Sequence, residues 1–195
     1  MKKFLWLFPV AFVLTACPFE SAVPMSAAPT EPVDSTLLGY WYGIVKDGSD
    51  FFGIEALDVT QKSDSTYAIT RYGKAVKGDI ILPDTAYFTG YTSTIGEQRF
   101  MNIEGSVLIV TPRKNKTPEY KKEKVFYVSY LERRNDTLSI KTIAENFSPV
   151  VKTFKSPEDF KRLVTESLLQ QKNIYDDLYS LSYKKIPKPQ PVKPL

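Results

Sequence analysis

Residues 37–143 break into short segments, each rich in aromatic and β-branched side chains and each closed by turn residues. No other feature constrains the fold as strongly. Segment 37–45 ends at Lys46-Asp47-Gly48, and segments 52–60 and 66–72 are joined by a polar turn. Segment 78–82 stops at Pro83-Asp84, and 86–95 and 98–103 flank Gly96-Glu97, a tight hairpin turn. Segment 106–111 leads into the polar, basic stretch 112–122, and 124–132 and 137–143 flank a second hairpin signal at 133–136. Aromatic and β-branched side chains suit a pleated, half-buried surface. Many short strands joined in sequence by turns predict a mainly β chain, an antiparallel barrel or a sandwich.

The hydrophobic period changes near residue 156. Ser156-Pro157-Glu158-Asp159 combines an N-cap residue, proline at the first helical position and acids in the first turn, which marks a helix start. Phe160, Leu163, Val164 and Leu168 then fall on one helical face. A second helical stretch, or a continuation of the first, is expected through Ile174, Leu178 and Leu181. Residues 186–195 are rich in proline and lysine and read as an extended, exposed tail.

The chemistry open to the chain is narrow. It has no histidine and a single cysteine, Cys17, which removes Ser-His-Asp and Cys-His catalysis and ordinary His/Cys zinc sites. No glycine spacing matches a phosphate-binding loop. Carboxylate chemistry remains, and Asp47, Asp50, Glu55 and Asp58 cluster in sequence. On one strand, however, Glu55 and Asp58 point to opposite faces. No catalytic residue, metal site or cofactor is therefore assigned, and the chain is expected not to be an enzyme.

The N-terminus gives an address. Lys2 and Lys3 precede an apolar run at 4–13, followed by Leu14-Thr15-Ala16-Cys17. This is the layout of a secretory signal, and the run is too short for a permanent transmembrane helix, which needs ~20 residues. The LTAC ending resembles the lipobox of bacterial lipoproteins. That resemblance implies cleavage after Ala16, lipidation of Cys17 and anchoring in a membrane. With Pro18 rather than aspartate in the next position, similarity to enterobacterial sorting implies the outer membrane. A lone cysteine also excludes an intramolecular disulfide.

Net charge is +4, but Lys2 and Lys3 lie in the signal and Lys184, Lys185, Lys188 and Lys193 lie in the tail. Residues 18–183 hold 20 Lys+Arg against 22 Asp+Glu. A nucleic-acid partner, which calls for a basic face, is not expected.

Leu37-Leu38-Gly39-Tyr40-Trp41-Tyr42-Gly43 opens the first strand segment. A Gly-x-Trp at this point resembles the start of lipocalin-like barrels. The stretch Tyr127 to Tyr130, with Asp136 to Ile140 after a turn, is similar to the final hairpins of such domains in bacterial lipoproteins. The resemblance spans about residues 37 to 143 and implies a barrel whose interior holds an apolar ligand. The aromatic residues Trp41, Phe52, Tyr67, Tyr72, Phe88, Tyr91, Phe100, Phe126 and Tyr130 are the candidates to line it; packing in a solid core is the competing role for the same side chains.

The chain thus divides into a signal peptide (1–16), a lipidated cysteine with a flexible tether (17–36), a β-barrel domain with a C-terminal helix (37–183) and a Pro/Lys-rich tail (184–195). The expected partners are the membrane, through lipid on Cys17, and a small apolar ligand or an envelope protein.

Overall fold

The computed structural model describes residues 18–47, 51–77, 80–112, 117–148 and 153–189. Eight strands follow one another: β1 (Gly39–Asp47), β2 (Phe51–Gln61), β3 (Tyr67–Lys77), β4 (Ile80–Ile95), β5 (Gln98–Thr111), β6 (Glu119–Arg134), β7 (Thr137–Ile143) and β8 (Tyr175–Ile186). Each pairs antiparallel with the next, and β8 returns to β1, so the sheet closes into a barrel. Closure decides between the barrel and the sandwich. Within the closed part it also removes the free edge strands that make isolated sheets prone to aggregate; only the ends of β4–β6 that run beyond it keep an unpaired side.

Two sequence expectations are corrected here. The spacing of Ile174, Leu178 and Leu181 predicted a helix, yet 175–186 is the closing strand. The helix α1 (Pro157–Leu169) ends earlier, where Gln171 takes a positive φ of 54°. What fixes β8 is the pair of edges waiting for it. Lys141 pairs with Ser180 and Thr137 with Lys184 on one side, and Tyr40–Tyr42 pair with Lys184–Ile186 on the other. Lys184 and Lys185 therefore belong to the barrel wall and not to a tail.

The second correction concerns the tether. Residues 18–36 lie against the barrel: Phe19, Ser21 and Met25 are buried. Where β6 and β7 separate, residues 18–21 bridge the gap. Phe19 N–H donates to Ile143 O (2.8 Å), and Ser21 and Phe126 exchange two backbone hydrogen bonds (3.0 and 2.8 Å). Further along, Met25 N–H donates to the buried Asn102 side chain (2.8 Å), which in turn donates to Ser93 Oγ (3.0 Å). Composition alone reads as a spacer because Pro, Ala and Ser dominate. A few apolar side chains and backbone groups suffice to hold the segment once a partner surface exists.

The barrel has two cores. One fills its interior toward the end where residues 33–38 cross to β1 and includes Leu37, Trp41, Tyr67, Met101, Leu138 and Tyr183. The other lies outside the wall, between the outer face of β5–β6, segment 18–25 and α1. There Phe19, Phe147, Phe154 and Phe160 meet, with the Phe154 and Phe160 rings stacked 4.4 Å apart. The helix begins as its sequence predicts: Ser156 Oγ accepts from Asp159 N–H (3.2 Å), with Pro157 in the first turn. Phe160 and Val164 are fully buried, while Leu163 and Leu168 are half-buried.

Strand lengths also differ from the sequence segments. Residues 80–95, expected as two segments, form one strand, β4, across Pro83. Pro83 stands opposite Lys74 of β3, and pairing of β4 with β5 reaches only to Thr89. Pro83 thus sits in a stretch of β4 that is paired on one side only, an edge setting in which proline is tolerated. Above Gly105, β5 pairs only with β6, out to Thr111 opposite Glu119, as a two-stranded ribbon.

Candidate functional site, the barrel interior

A cavity of about 990 Å³ occupies the barrel above Trp41. That volume lies within the range of small-molecule pockets, ~300–1,000 Å³. Strand alternation explains its lining. Leu57 and Val59 from β2, Ile69 from β3, Phe88 from β4 and Met101 and Ile103 from β5 all have inward parity. Leu131, Leu138, Ile140 and Leu181 complete the wall from β6, β7 and β8. Small residues keep room among them. A Cβ on Gly105 would lie 3.2 Å from the Phe88 ring, and one on Gly90 would lie 2.9 Å from Met101 Sδ. Pro18, Phe19 and Glu20 of the N-terminal segment also line the cavity.

The closed end is sealed by local contacts. The Trp41 indole N–H donates to Leu37 O (2.9 Å), and Lys185 Nζ lies 5.2 Å from the ring centroid, a cation–π arrangement. Tyr67 is buried and accepts from Asp34 N–H (2.7 Å); its burial raises the phenol's pKa above the ordinary value. Burial works against ionisation of Asp34, but hydrogen bonds from Thr36 and the neighbouring Arg99 guanidinium hold its carboxyl below the usual range.

A polar cluster centred on Glu55 sits among the apolar side chains of the interior. Glu55 is buried, with Arg71 Nε 2.8 Å from Oε2 and the Tyr183 hydroxyl donating to Oε1 at 2.5 Å. Burial and the adjacent Glu55 carboxylate push the Tyr183 phenol's pKa far up. Nearer the rim, the Tyr127 hydroxyl donates to Glu20 (2.7 Å). Asp58 points outward to Lys188 (2.5 Å), so it and Glu55 are on opposite faces, as strand parity requires. Among the described residues no group of three or more His, Cys, Asp or Glu is placed to hold a metal, and no helix is long and apolar enough to cross a membrane.

The aromatic candidates divide between the two faces of the wall. Phe88 lines the cavity, and Trp41 and Tyr67 pack in the plug beneath it. Tyr72 is outside, its ring 6.3 Å from Tyr40. Tyr91 also faces outward, its hydroxyl donating to Ser26 O under the N-terminal segment. Phe100 and Tyr130 pack 5.8 Å apart on the outer face, and Phe126, opposite Glu104, has the same outward parity. The expectation of one aromatic face therefore gives way to a split: Trp41, Tyr67 and Phe88 lie inside among aliphatic side chains, and the other described candidates lie on the outer face. Cys17 and the side chain of Phe52 lie outside the described residues.

Sequence reasoning passed over Arg71 and Tyr183 and weighed Glu55 only as one half of a carboxylate pair with Asp58. One signal was available: Glu55 shares the strand parity of Leu57 and Val59, so an acid stands in an otherwise apolar row. Comparison with known proteins returns no matching family model, no matching curated protein and no matching solved structure.

Proposed function

We propose that this chain is a lipid-anchored protein of the bacterial cell envelope, attached through Cys17, whose lipocalin-like barrel binds a small apolar or amphipathic molecule without catalysing a reaction on it. The observation that carries the reading is the cavity of about 990 Å³ with its largely aliphatic wall. An eight-stranded barrel interior is either packed solid or roomy enough for one small ligand, and the aliphatic side chains on this wall suit the apolar part of a guest. The absence of histidine from the whole sequence and the pairing of Glu55 with Arg71 and Tyr183 support binding over catalysis. The lipobox-like LTAC and Pro18 support the outer membrane as the address.

The test is titration of the chain carrying Cys17→Ser with an environment-sensitive apolar fluorophore. Saturable binding that Leu57→Trp blocks, with the fold retained by circular dichroism, supports the reading. Absence of saturable binding removes it.

A second reading, an interaction module acting through its outer surface, has its own observation. On the β5–β6 ribbon Leu108, Ile109, Val110 and Tyr120 are exposed, Leu108 and Tyr120 by about 60 %. Polar substitution of Leu108 and Val110 that leaves fluorophore binding intact but abolishes recovery of an envelope partner supports this second reading.

A further inference from the structure

Strand direction sorts the two ends of the barrel. β1, β3, β5 and β7 start at the Trp41 end, which also carries the hairpin at Gly96-Glu97. They run to the other end, where Pro18, Glu20 and Glu145 border the cavity. Pro18 forms a bridge with Ala144, the residue after β7, so the chain enters the fold at this second end. A lipid on Cys17 would be attached one residue away from it.

The β5–β6 ribbon projects from the same end. Residues directly opposite one another in an antiparallel pair share a face. Ser106 stands opposite Lys124, Leu108 opposite Lys122 and Val110 opposite Tyr120, so these six side chains form one face. Leu108, Val110 and Tyr120 are exposed, with the Val110–Tyr120 pair outermost and the two lysines set back from the tip. Lys124 is bridged to Glu104 at 2.8 Å. The other face carries Ile109, also exposed, and a Lys121–Glu123 ion pair at 2.7 Å. Residues 106–124 hold six basic side chains against two acids. Four strands round the wall, the register partners Ile44 and Ile54 are exposed as well.

A single exposed leucine carries no message, but an apolar tip backed by lysines has a definite complement. Bilayers are layered in the same order: hydrocarbon, an interface that suits tyrosine, then headgroups that can be anionic. Lysine stems lie along apolar surface while their ammonium groups reach the headgroups. A protein groove can accept the same apolar side chains. The positive excess on the ribbon, together with entry of the chain at this end, favours lipid.

We infer that the open end of the barrel rests on an anionic bilayer, with Leu108, Val110 and Tyr120 in the interfacial layer and Lys122 among the headgroups. The cavity mouth then faces the lipid surface. This rests on the envelope address proposed above and adds to it an orientation and a second, non-covalent contact.

The experiment uses residues 17–195 with Cys17→Ser, which keeps every described residue and removes both the lipid and the apolar signal run. The probes are vesicles of phosphatidylethanolamine and phosphatidylglycerol, about 3:1, and vesicles of phosphatidylcholine alone. The chain should co-sediment with the anionic vesicles and about tenfold more weakly with the neutral ones. Leu108→Ser/Val110→Ser and Lys122→Glu, both outside the cavity lining, should each weaken anionic-vesicle binding about tenfold and leave fluorophore binding unchanged. Orientation is read from tryptophan emission over the common Trp41 background. Tyr120→Trp should shift to the blue and be quenched by brominated acyl chains, whereas Glu97→Trp, on the exposed hairpin of the opposite end, should do neither. No binding to anionic vesicles, equal binding by the Leu108→Ser/Val110→Ser variant, or quenching at position 97 rather than 120 overturns the inference. Docking of the ribbon on a protein with no vesicle binding does the same. The address reading is tested apart from these outcomes, because the chain used carries no lipid; it falls if mass spectrometry of the native N-terminal peptide finds Cys17 unmodified.

Discussion

The Tyr183 hydroxyl donates to Glu55 Oε1 at 2.5 Å across 128 positions of sequence, and Gly43 makes the approach possible. A Cβ on Gly43 would lie 2.8 Å from the Tyr183 ring and 3.0 Å from Ser182 O. The strand that opens the barrel and the strand that closes it are thus fitted together at the buried polar group. Gly43→Ala should destabilise the chain by about 1–3 kcal/mol through overpacking. Tyr183→Phe should cost about 1–3 kcal/mol by leaving a buried carboxylate oxygen without its donor. Urea unfolding of the two variants measures both, and a change under ~0.5 kcal/mol in either would contradict the account.

Asn102 holds the N-terminal segment to the barrel by accepting from Met25 N–H and donating to Ser93. Replacing it with alanine leaves Met25 N–H and Ser93 Oγ buried without that partner, at a cost of about 1–3 kcal/mol. The loss should be local as well as global. Limited proteolysis between residues 22 and 33 should accelerate before the barrel itself is cut, and equal cleavage rates in both proteins would show that the segment is held by other contacts.

The aromatic cluster outside the wall predicts a sharp contrast along one helix. Phe160 is fully buried against Phe19, Phe147 and Phe154, whereas Leu169 is 80 % exposed. Phe160→Ala should cost about 3–5 kcal/mol, and Leu169→Ala should stay within ~0.5 kcal/mol. Thermal unfolding of the pair decides the point.

Tyrosine ionisation predicts the alkaline limit of stability. Burial pushes Tyr91 and Tyr175 up to about 12 from the ordinary value of 10, with Glu104 adding to the first and Tyr130 to the second. Each raised phenol binds its proton more tightly in the folded chain than in the unfolded one. Its contribution is therefore fully present below pH 10 and is lost as pH rises from 10 through about 12. Melting temperature should be flat with respect to these groups up to about pH 9 and fall steeply above 10. Phenolate absorbance should show part of the tyrosine complement ionising only as the chain unfolds.

Much of the architecture was legible. The hairpin at Gly96-Glu97 and the one near Asn135-Asp136 fall where glycine and asparagine allow positive φ, and Ser156 caps its helix as its neighbours imply. These features depend on a few adjacent residues, so local propensity decides them. The antiparallel order from β1 to β7 follows from connections too short for a parallel crossover, whereas the helix-containing link from β7 to β8 leaves that pairing to the tertiary structure. The candidate site was legible only in part. Phe88 could be taken for a lining residue, but Phe100 and Tyr130 carry the same aromatic signal and face the other way.

The sequence by itself determined the number and spacing of most strands, the helix start, the exclusion of histidine chemistry and the one strand face shared by Glu55, Leu57 and Val59. Only the tertiary structure decided which face of each strand became the interior, because β4–β6 carry apolar residues on both faces. The outer face is buried here by segment 18–25 and α1, partners that no local pattern assigns to it. The same holds for residues 175–186, whose spacing suits a helix but whose conformation is set by the free edges of β1 and β7. Strand pairing with distant edges outweighs local periodicity because it joins two edges at once and buries Tyr183 in the barrel interior, a gain no isolated helix over these residues offers.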